Sequence, residues 1–383
     1  MTPLQAATHA DPYAYYAGLR RQGELIFDAD LGLWIASRAK TVEAVLAHPD
    51  CRVRPLHEPV PKAIAQGAAG QVFARLMRMN EGSAHRCPRS VIEPALAAVD
   101  AHTVATAVGR LIDGVDKLDA LMFTLPVSVV AALLGVPAEQ LASVAELTRS
   151  FVASLSPLSS EAQLRTADAS ASQLRQMFSD VLEEATLLAH IRRGGWQNAE
   201  VLSANLIGLL SQTCEATAGL IGNTLVLLAR RPDLVERILR APALATALVE
   251  EVARYDSPVQ NTRRFVAGRC TIGNRVLEEG DTVLIVLASA NRDPEANPDP
   301  DSVLLERRHR RIFSFGAGIH QCPGQTIALT IASQAVLALL RRQPTVLASA
   351  CQFSYWPSLN GRIPRFRDEP LSHAAAVQTG GRD

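Results

Sequence analysis

The chain has 383 residues, 48% of them hydrophobic, with 38 Lys and Arg against 38 Asp and Glu for a formal net charge of +0. That length buries a large core and would allow more than one domain, while the charge balance excludes a general nucleic-acid binder, which carries a basic excess. No run of about 18 apolar residues is present to span a membrane, and the N-terminal stretch MTPLQAATHADPYAYY lacks the basic start and apolar block of a secretory signal, so a cytoplasmic protein is expected.

In chain order, apolar residues at three- and four-residue spacing predict helices over 12–22, 40–48, 104–117, 126–135, 138–153, 160–190, 199–229, 233–238, 243–255 and 324–342. The longest strong one starts beside Asn198, a good N-cap, and stops at Arg230-Arg231-Pro232. Strand-like pieces are short: 24–28, 32–36, 270–273, 275–277, 282–286, and a C-terminal pair in which Asn360-Gly361 predicts a tight hairpin. Residues 373–383 read as a loose polar tail. There is no internal repeat and no sharp change in composition. The expectation is a single, mainly α domain over 1–383 with small peripheral sheets.

Cys51, Cys87, Cys214, Cys270, Cys322 and Cys351 are scattered without a CxxC pair. A disulfide framework or a zinc site groups its cysteines, so free thiols are expected, one of them functional. That one is in FSFGAGIHQCPGQT, residues 313–326. Gly316 and Gly318 let the backbone take positive φ or pass close to a flat object. Pro323 suits the first turn of a helix, which puts Cys322 at a helix N-terminus, where the dipole favours thiolate. A thiolate on a glycine-walled loop is a metal ligand or a nucleophile. No Cys–His–Asn pattern supports the nucleophile, and zinc needs more ligands nearby. A lone axial thiolate on haem iron fits best.

Phe315-Gly316-Ala317-Gly318-Ile319-His320-Gln321-Cys322-Pro323-Gly324 resembles the FGxGxHxCxG signature of the soluble bacterial cytochromes P450. The resemblance implies the P450 fold, mainly α, with a long central helix over haem and small peripheral β-sheets. It also implies haem b, with Cys322 on the iron and Phe315, Gly316 and Gly324 around it. Glu251 and Arg254 resemble the family's structural ExxR pair, with Arg307 or Arg308 as a third member. Arg264, with Arg263 as its competitor, stands where the family places a haem-propionate arginine. His85 and Arg89 resemble the HxxxR stretch, though Pro88 requires the helix to start near His85 or to bend. His320 is the fourth propionate candidate. SANRDPEANPDP, residues 289–300, extends the likeness, which runs from about residue 12 to 367.

LLSQTCEATAGLIGN, within the long helix, aligns on LIGN with the family's AGxETT or AGxDT. Gln212 then takes the alanine position, Thr213 the glycine, Cys214 the variable site and Glu215 the acid. Ala216 replaces the threonine whose hydroxyl holds a proton-relaying water. Thr217 follows one residue on, rotated by about 100°. Three explanations stay open: the substrate supplies its own hydroxyl or amine; Thr213 or Gln212 does the job; or the chemistry is peroxide-driven or oxidative coupling. Glu215 is a candidate proton source.

By the same resemblance, substrate contacts fall in 54–76, 209–216, 259–262 and 356–359, with Gln212, Val259, Asn261 and Ser358 as candidates and a polar substrate group near the iron. Pro323 withholds a backbone N–H from the sulfur and predicts a more negative iron potential. Arg307–Arg311, RRHRR, is either surface and propionate chemistry or a basic patch for an acidic ferredoxin. With no flavin or nicotinamide domain evident, ferredoxin and ferredoxin reductase are the expected electron donors. The implied function is a haem-thiolate monooxygenase that oxidises a small organic molecule, by hydroxylation or a related step in secondary metabolism. The alternatives are a peroxide-driven or coupling P450, or a haem binding or sensing protein without turnover.

Overall fold

A computed structural model of the chain describes residues 1–114, 117–180, 191, 198–342 and 346–366. The predicted C-terminal tail, residues 181–190 of the predicted 160–190 helix and residues 115 and 116 of the predicted 104–117 helix lie outside these residues.

The frame is the helix Ala199–Arg230, which begins with Asn198 Oδ1 accepting from Val201 N–H at 3.1 Å and ends where Pro232 opens the next helix. It is apolar nearly all round, so it runs through the interior. Helices Leu118–Leu133, Leu141–Val152, Glu161–Asp180, Leu244–Tyr255 and Gln325–Arg342 pack against it. Leu118–Leu133 begins earlier than expected, because a segment buried on every face has no helical stripe to read and Pro126 lies inside it. Gly82–Ala97 escaped the apolar-spacing prediction for a related reason: it contains Pro88 and Pro94. Among the described residues no single helix is long and apolar enough to cross a membrane.

The strands are β1 Leu25–Asp28, β2 Leu33–Ala36, β3 Cys51–Arg52, β4 Thr262–Val266, β5 Cys270–Ile272, β6 Arg275–Leu277, β7 Thr282–Ile285, β8 Phe353–Tyr355 and β9 Pro364–Phe366. Five of them form a sheet in the order β1-β2-β7-β4-β3, with β2 and β7 parallel. β4 was not expected. Its two faces differ only in that Arg264 and Val266 turn inward while Arg263 is exposed. The C-terminal hairpin exists, but β8 and β9 pair with Tyr355 opposite Pro364, so residues 356–363 form a wider loop than a tight turn.

Glu251 anchors the layer beneath the central helix. Glu251 and Arg254 are both fully buried, and Arg254 Nη2 donates to Glu251 Oε1 at 2.7 Å and Nε to Oε2 at 3.1 Å. The third member is Arg307, at 3.1 Å from Oε1, and not Arg308. Arg310 is a fourth, at 2.8 Å from Oε2. Arg254 also donates to Pro300 O and Ser302 O, which fixes the segment leading into the cysteine loop. Two of the four arginines in RRHRR are therefore internal, and Arg311 pairs with Glu43, which corrects the expectation of a free basic patch there.

The six cysteines are free, but they are not scattered in space. Cys51, on β3, and Cys270, on β5 of the separate β5-β6 hairpin, meet, with both sulfurs and a ring nitrogen of His48 within 4.8 Å of one another. Burial, with the neighbouring Cys270 thiol, pushes Cys51 up to about 12, so this pair packs as protonated thiols.

Candidate active site

The central helix is covered along its length except at its middle, where Gln212 and Glu215 are exposed and Thr213 and Ala216 half-exposed. Burial nevertheless raises the Glu215 carboxyl above its ordinary range, with Arg78 and Arg149 pulling the other way. A group that a water molecule can reach but that is surrounded by protein lies on the wall of an internal cavity. Thr213 Oγ1 donates to Leu209 O at 2.8 Å, so its proton is committed while its lone pairs stay open to accept. Gln212 Nε2 likewise donates to Gly208 O at 2.9 Å. Thr217 is 1% exposed and points away from this face, so the expectation that it handles protons is not met.

The cysteine loop is a double turn. Gly316 and Gly318 take φ of 71° and 68°, the left-handed region the sequence required. Cys322 N–H donates to Phe315 O at 2.8 Å, which closes the loop. Phe315, Gly316, Cys322 and Gly324 are all half-exposed, so this wall is also open. The helix starts only at Gln325, so Cys322 does not occupy its first turn. Without a bound metal, burial raises the Cys322 thiol; the Gly324 N–H and the Arg89 charge oppose that rise but do not overcome it. The helix-dipole argument for a free thiolate is therefore corrected. Stabilisation of the anion falls to whatever binds it.

The four propionate candidates converge from separate elements. His85 is 3% exposed on Gly82–Ala97, which starts three residues ahead of it and carries Pro88 within. Its ring lies 4.3 Å from that of His320. Burial, then the charges of His320 and Arg89, push His85 down to about 4, so its ring is neutral. Arg264, on the inner face of β4, is 6% exposed, whereas Arg263 on its other face is exposed. Arg89 Nη1 donates to Gln321 O at 2.8 Å, one residue from Cys322, and its Nε holds Glu93 at 3.0 Å.

His85 Nδ1, His320 Nδ1 and Arg264 Nε are all buried and have no hydrogen-bond partner among the described residues. Three buried nitrogens without partners call for a hydrogen-bonding ligand, and the Arg264 N–H among them can only donate. The carboxylates of a porphyrin's propionates are acceptors, so the donor set fits haem. Sequence reasoning missed Glu81, which holds His320 Nε2 at 3.0 Å and accepts from Val53 N–H at 3.1 Å. Burial opposes its ionisation, but the His320 bond and charge outweigh it and keep Glu81 below its usual range. Its place four residues before His85 was the available signal. Arg78 was also missed, since nothing in its local sequence marks it.

Two substrate candidates turn out to have structural tasks. Asn261, 2% exposed, donates from Nδ2 to Leu359 O at 2.8 Å and does not face the cavity. Ser358 Oγ accepts from Gly361 N–H at 2.8 Å and Asn360 N–H at 3.3 Å, which builds the turn. Val259 is half-buried and bridges to Gly361.

A cysteine loop facing the open middle of a long buried helix, within mainly helical architecture, is an arrangement found in known structures. The fold matches that of P450BioI bound to a fatty-acyl carrier protein, with a TM-score of 0.81, 24% identity, and coverage of 93% of this chain and 97% of that one. It also matches CalO2, with a TM-score of 0.79, 23% identity and 98% coverage of each chain. This is the cytochrome P450 fold.

The family model described as Cytochrome P450 matches residues 242–343. Over 355 residues the chain is 29% identical to the cytochrome P450 monooxygenase PikC of Streptomyces venezuelae, covering 88% of this chain and 84% of that one. It is 32% identical over 243 residues to cytochrome P450 107B1 of Saccharopolyspora erythraea, covering 62% and 59%. The chain belongs to the cytochrome P450 family of the bacterial type, and is an oxidoreductase of the monooxygenase class.

Proposed function

We propose that the chain is a haem-thiolate monooxygenase of 1–383, a single domain, that hydroxylates a small organic molecule using haem b and electrons from an external ferredoxin and its reductase. Support comes above all from the three orphaned nitrogens, of His85, His320 and Arg264, gathered at the rim of the cysteine loop. In this reading they and Arg89 would hold the two propionates, and Cys322 would ligate the iron. Bound there, the haem supplies oxygen activation and electron transfer. Glu81 orients His320 by holding Nε2, so that Nδ1 points inward. The Gly324 N–H lies close enough to the sulfur to favour its anion.

On the other wall, Glu215 is the proton source: burial raises its carboxyl and so favours the protonated form that a donor needs. Ala216 offers no hydroxyl to hold a relay water. Thr213 can accept one hydrogen bond from such a water but cannot donate to it while bonded to Leu209 O. The second position for the water must then come from the substrate, as substrate-assisted protonation requires.

The test is haem retention. His85→Phe and Arg264→Met each remove one orphaned donor, and each is expected to speed haem transfer to a scavenger by about tenfold, the equivalent of one lost charge-assisted bond. Unchanged transfer from both variants and from their combination would remove the propionate assignment.

A further inference from the structure

Arg78 belongs to neither charge network described so far. It lies in the turn Met77–Met79, which is fixed onto the central helix. Met77 N–H donates to Asn205 Oδ1 at 2.8 Å, and Asn205 Nδ2 donates back to Arg75 O at 3.0 Å. Asn80 Nδ2 holds Leu76 O at 2.7 Å. Leu76 sits against Gly208, where any Cβ would approach Leu76 Cδ2 to 2.8 Å. The turn is thus anchored along Asn205–Gly208, about one helical turn before the open face at Gln212–Ala216.

The Arg78 side chain leaves that anchor without a mate. Its Nε is buried and has no hydrogen-bond partner among the described residues. Among the other interior arginines, Arg254, Arg307 and Arg310 are matched by Glu251 and Arg362 by Asp256 at 2.6 Å, while Arg264 belongs to the propionate cluster. The charge that acts on Arg78 is that of Glu215, whereas the charges acting on His85 and Arg264 include Glu81 and not Arg78. Arg78, on a turn anchored one helical turn before the open face, thus lies on the Glu215 side of that turn. A guanidinium stays protonated at any physiological pH. The residue is half-buried, but its Nε is enclosed with no partner, and that cost is relieved when an anion joins it. Glu215 does not fill this role, since it forms no ion pair with Arg78 within 4.0 Å among the described residues and its own carboxyl is biased towards the neutral form.

The geometry points to a substrate that carries a carboxylate, seated on the Arg78 guanidinium while the carbon to be oxidised lies beneath Ala216. This rests on the haem reading above and adds to it the chemical class of the substrate. Arg78 is then a specificity-determining residue: the planar fork accepts a carboxylate through two parallel bonds and rejects its ester, which leaves the cation unmatched.

The probes are ω-(imidazol-1-yl)alkanoic acids of graded tail length and their methyl esters, titrated into the holoenzyme. The imidazole nitrogen reports binding through the haem spectrum, and the tail reaches for Arg78. At the best length the acid should bind about tenfold tighter than its ester. Arg78→Gln should abolish that preference, with the ester's affinity held within about twofold, and Arg78→Lys should restore part of it. Esters that bind as tightly as acids at every length, or an acid preference that survives Arg78→Gln, would overturn the inference and leave the haem reading intact. No spectral shift with any probe, or with imidazole itself, would overturn the haem reading and this inference with it.

Discussion

Glu251 offers a direct measure of how the layer beneath the haem loop is held. Its carboxylate is fully buried and accepts from Arg254, Arg307, Arg310 and the Leu304 N–H at 2.7–3.3 Å. Glu251→Gln keeps the shape but leaves these buried cations short of their shared anion. Breaking one partner out of such a network costs about 3–5 kcal/mol. Unfolding entropy of about 2.1 cal/mol/K per residue over 383 residues gives about 0.8 kcal/mol/K, so scanning calorimetry of the holoenzyme should record a Tm lowered by about 4–6 °C. Adding Arg310→Met to the variant removes one unmatched charge and should recover part of that loss, although Arg310→Met alone is destabilising. Burial on its own would raise the Glu251 pKa; the Arg254 hydrogen bonds and charge, with Leu304 N–H and Arg307, outweigh it and hold the group below the carboxylate range. With the folded pKa depressed, the stabilisation is complete above the unfolded value of about 4.3 and is lost as pH falls through the folded one. The gap between wild type and Glu251→Gln should therefore be flat from neutral pH down to about 4.3 and narrow below it. A Tm unchanged by Glu251→Gln, or a gap that narrows already near neutrality, would refute the reasoning.

Three further variants probe the site. Ala216→Thr should slow turnover or uncouple NADPH consumption from product, since a second hydroxyl competes with the substrate for the relay water; faster turnover with equal coupling would rule out substrate assistance, while Thr213→Ala should lower coupling if that hydroxyl accepts from the water. Pro323→Leu adds a backbone N–H beside the sulfur to the one Gly324 already supplies, so a redox titration should find the iron potential raised, and an unmoved potential would dismiss that tuning role.

How much of this was legible in the residues depends on how local each signal is. The cysteine loop, the ExxR pair and the long helix are contiguous motifs, and Asn198 and Pro232 mark the ends of that helix openly. Leu118–Leu133 and Gly82–Ala97 were misjudged because full burial erases helical periodicity and proline argues against a helix that tertiary packing then imposes. The choice of Arg307 over Arg308, and the role of Arg310, depend on a turn in which His309 takes a φ of 55°, which no spacing rule encodes. Asn261 and Ser358 were expected at the substrate only through the resemblance, but Asn261 Nδ2 donates to Leu359 O and Ser358 Oγ accepts from the Asn360 and Gly361 N–H groups of its own turn. Arg78 and Glu81 matter only through what faces them, and that is fixed by the Met77–Met79 turn held on the central helix and by the Val53 N–H that holds Glu81.

The most direct test is the spectrum of the reduced holoenzyme under carbon monoxide. Wild type should give the strongly red-shifted Soret band that comes from an anionic sulfur opposite the gas. Cys322→His should still bind pigment through the propionate cluster but give the unshifted band of a nitrogen ligand. A wild-type protein without the shifted band, or a Cys322→His variant that retains it, would contradict the assignment of the iron ligand.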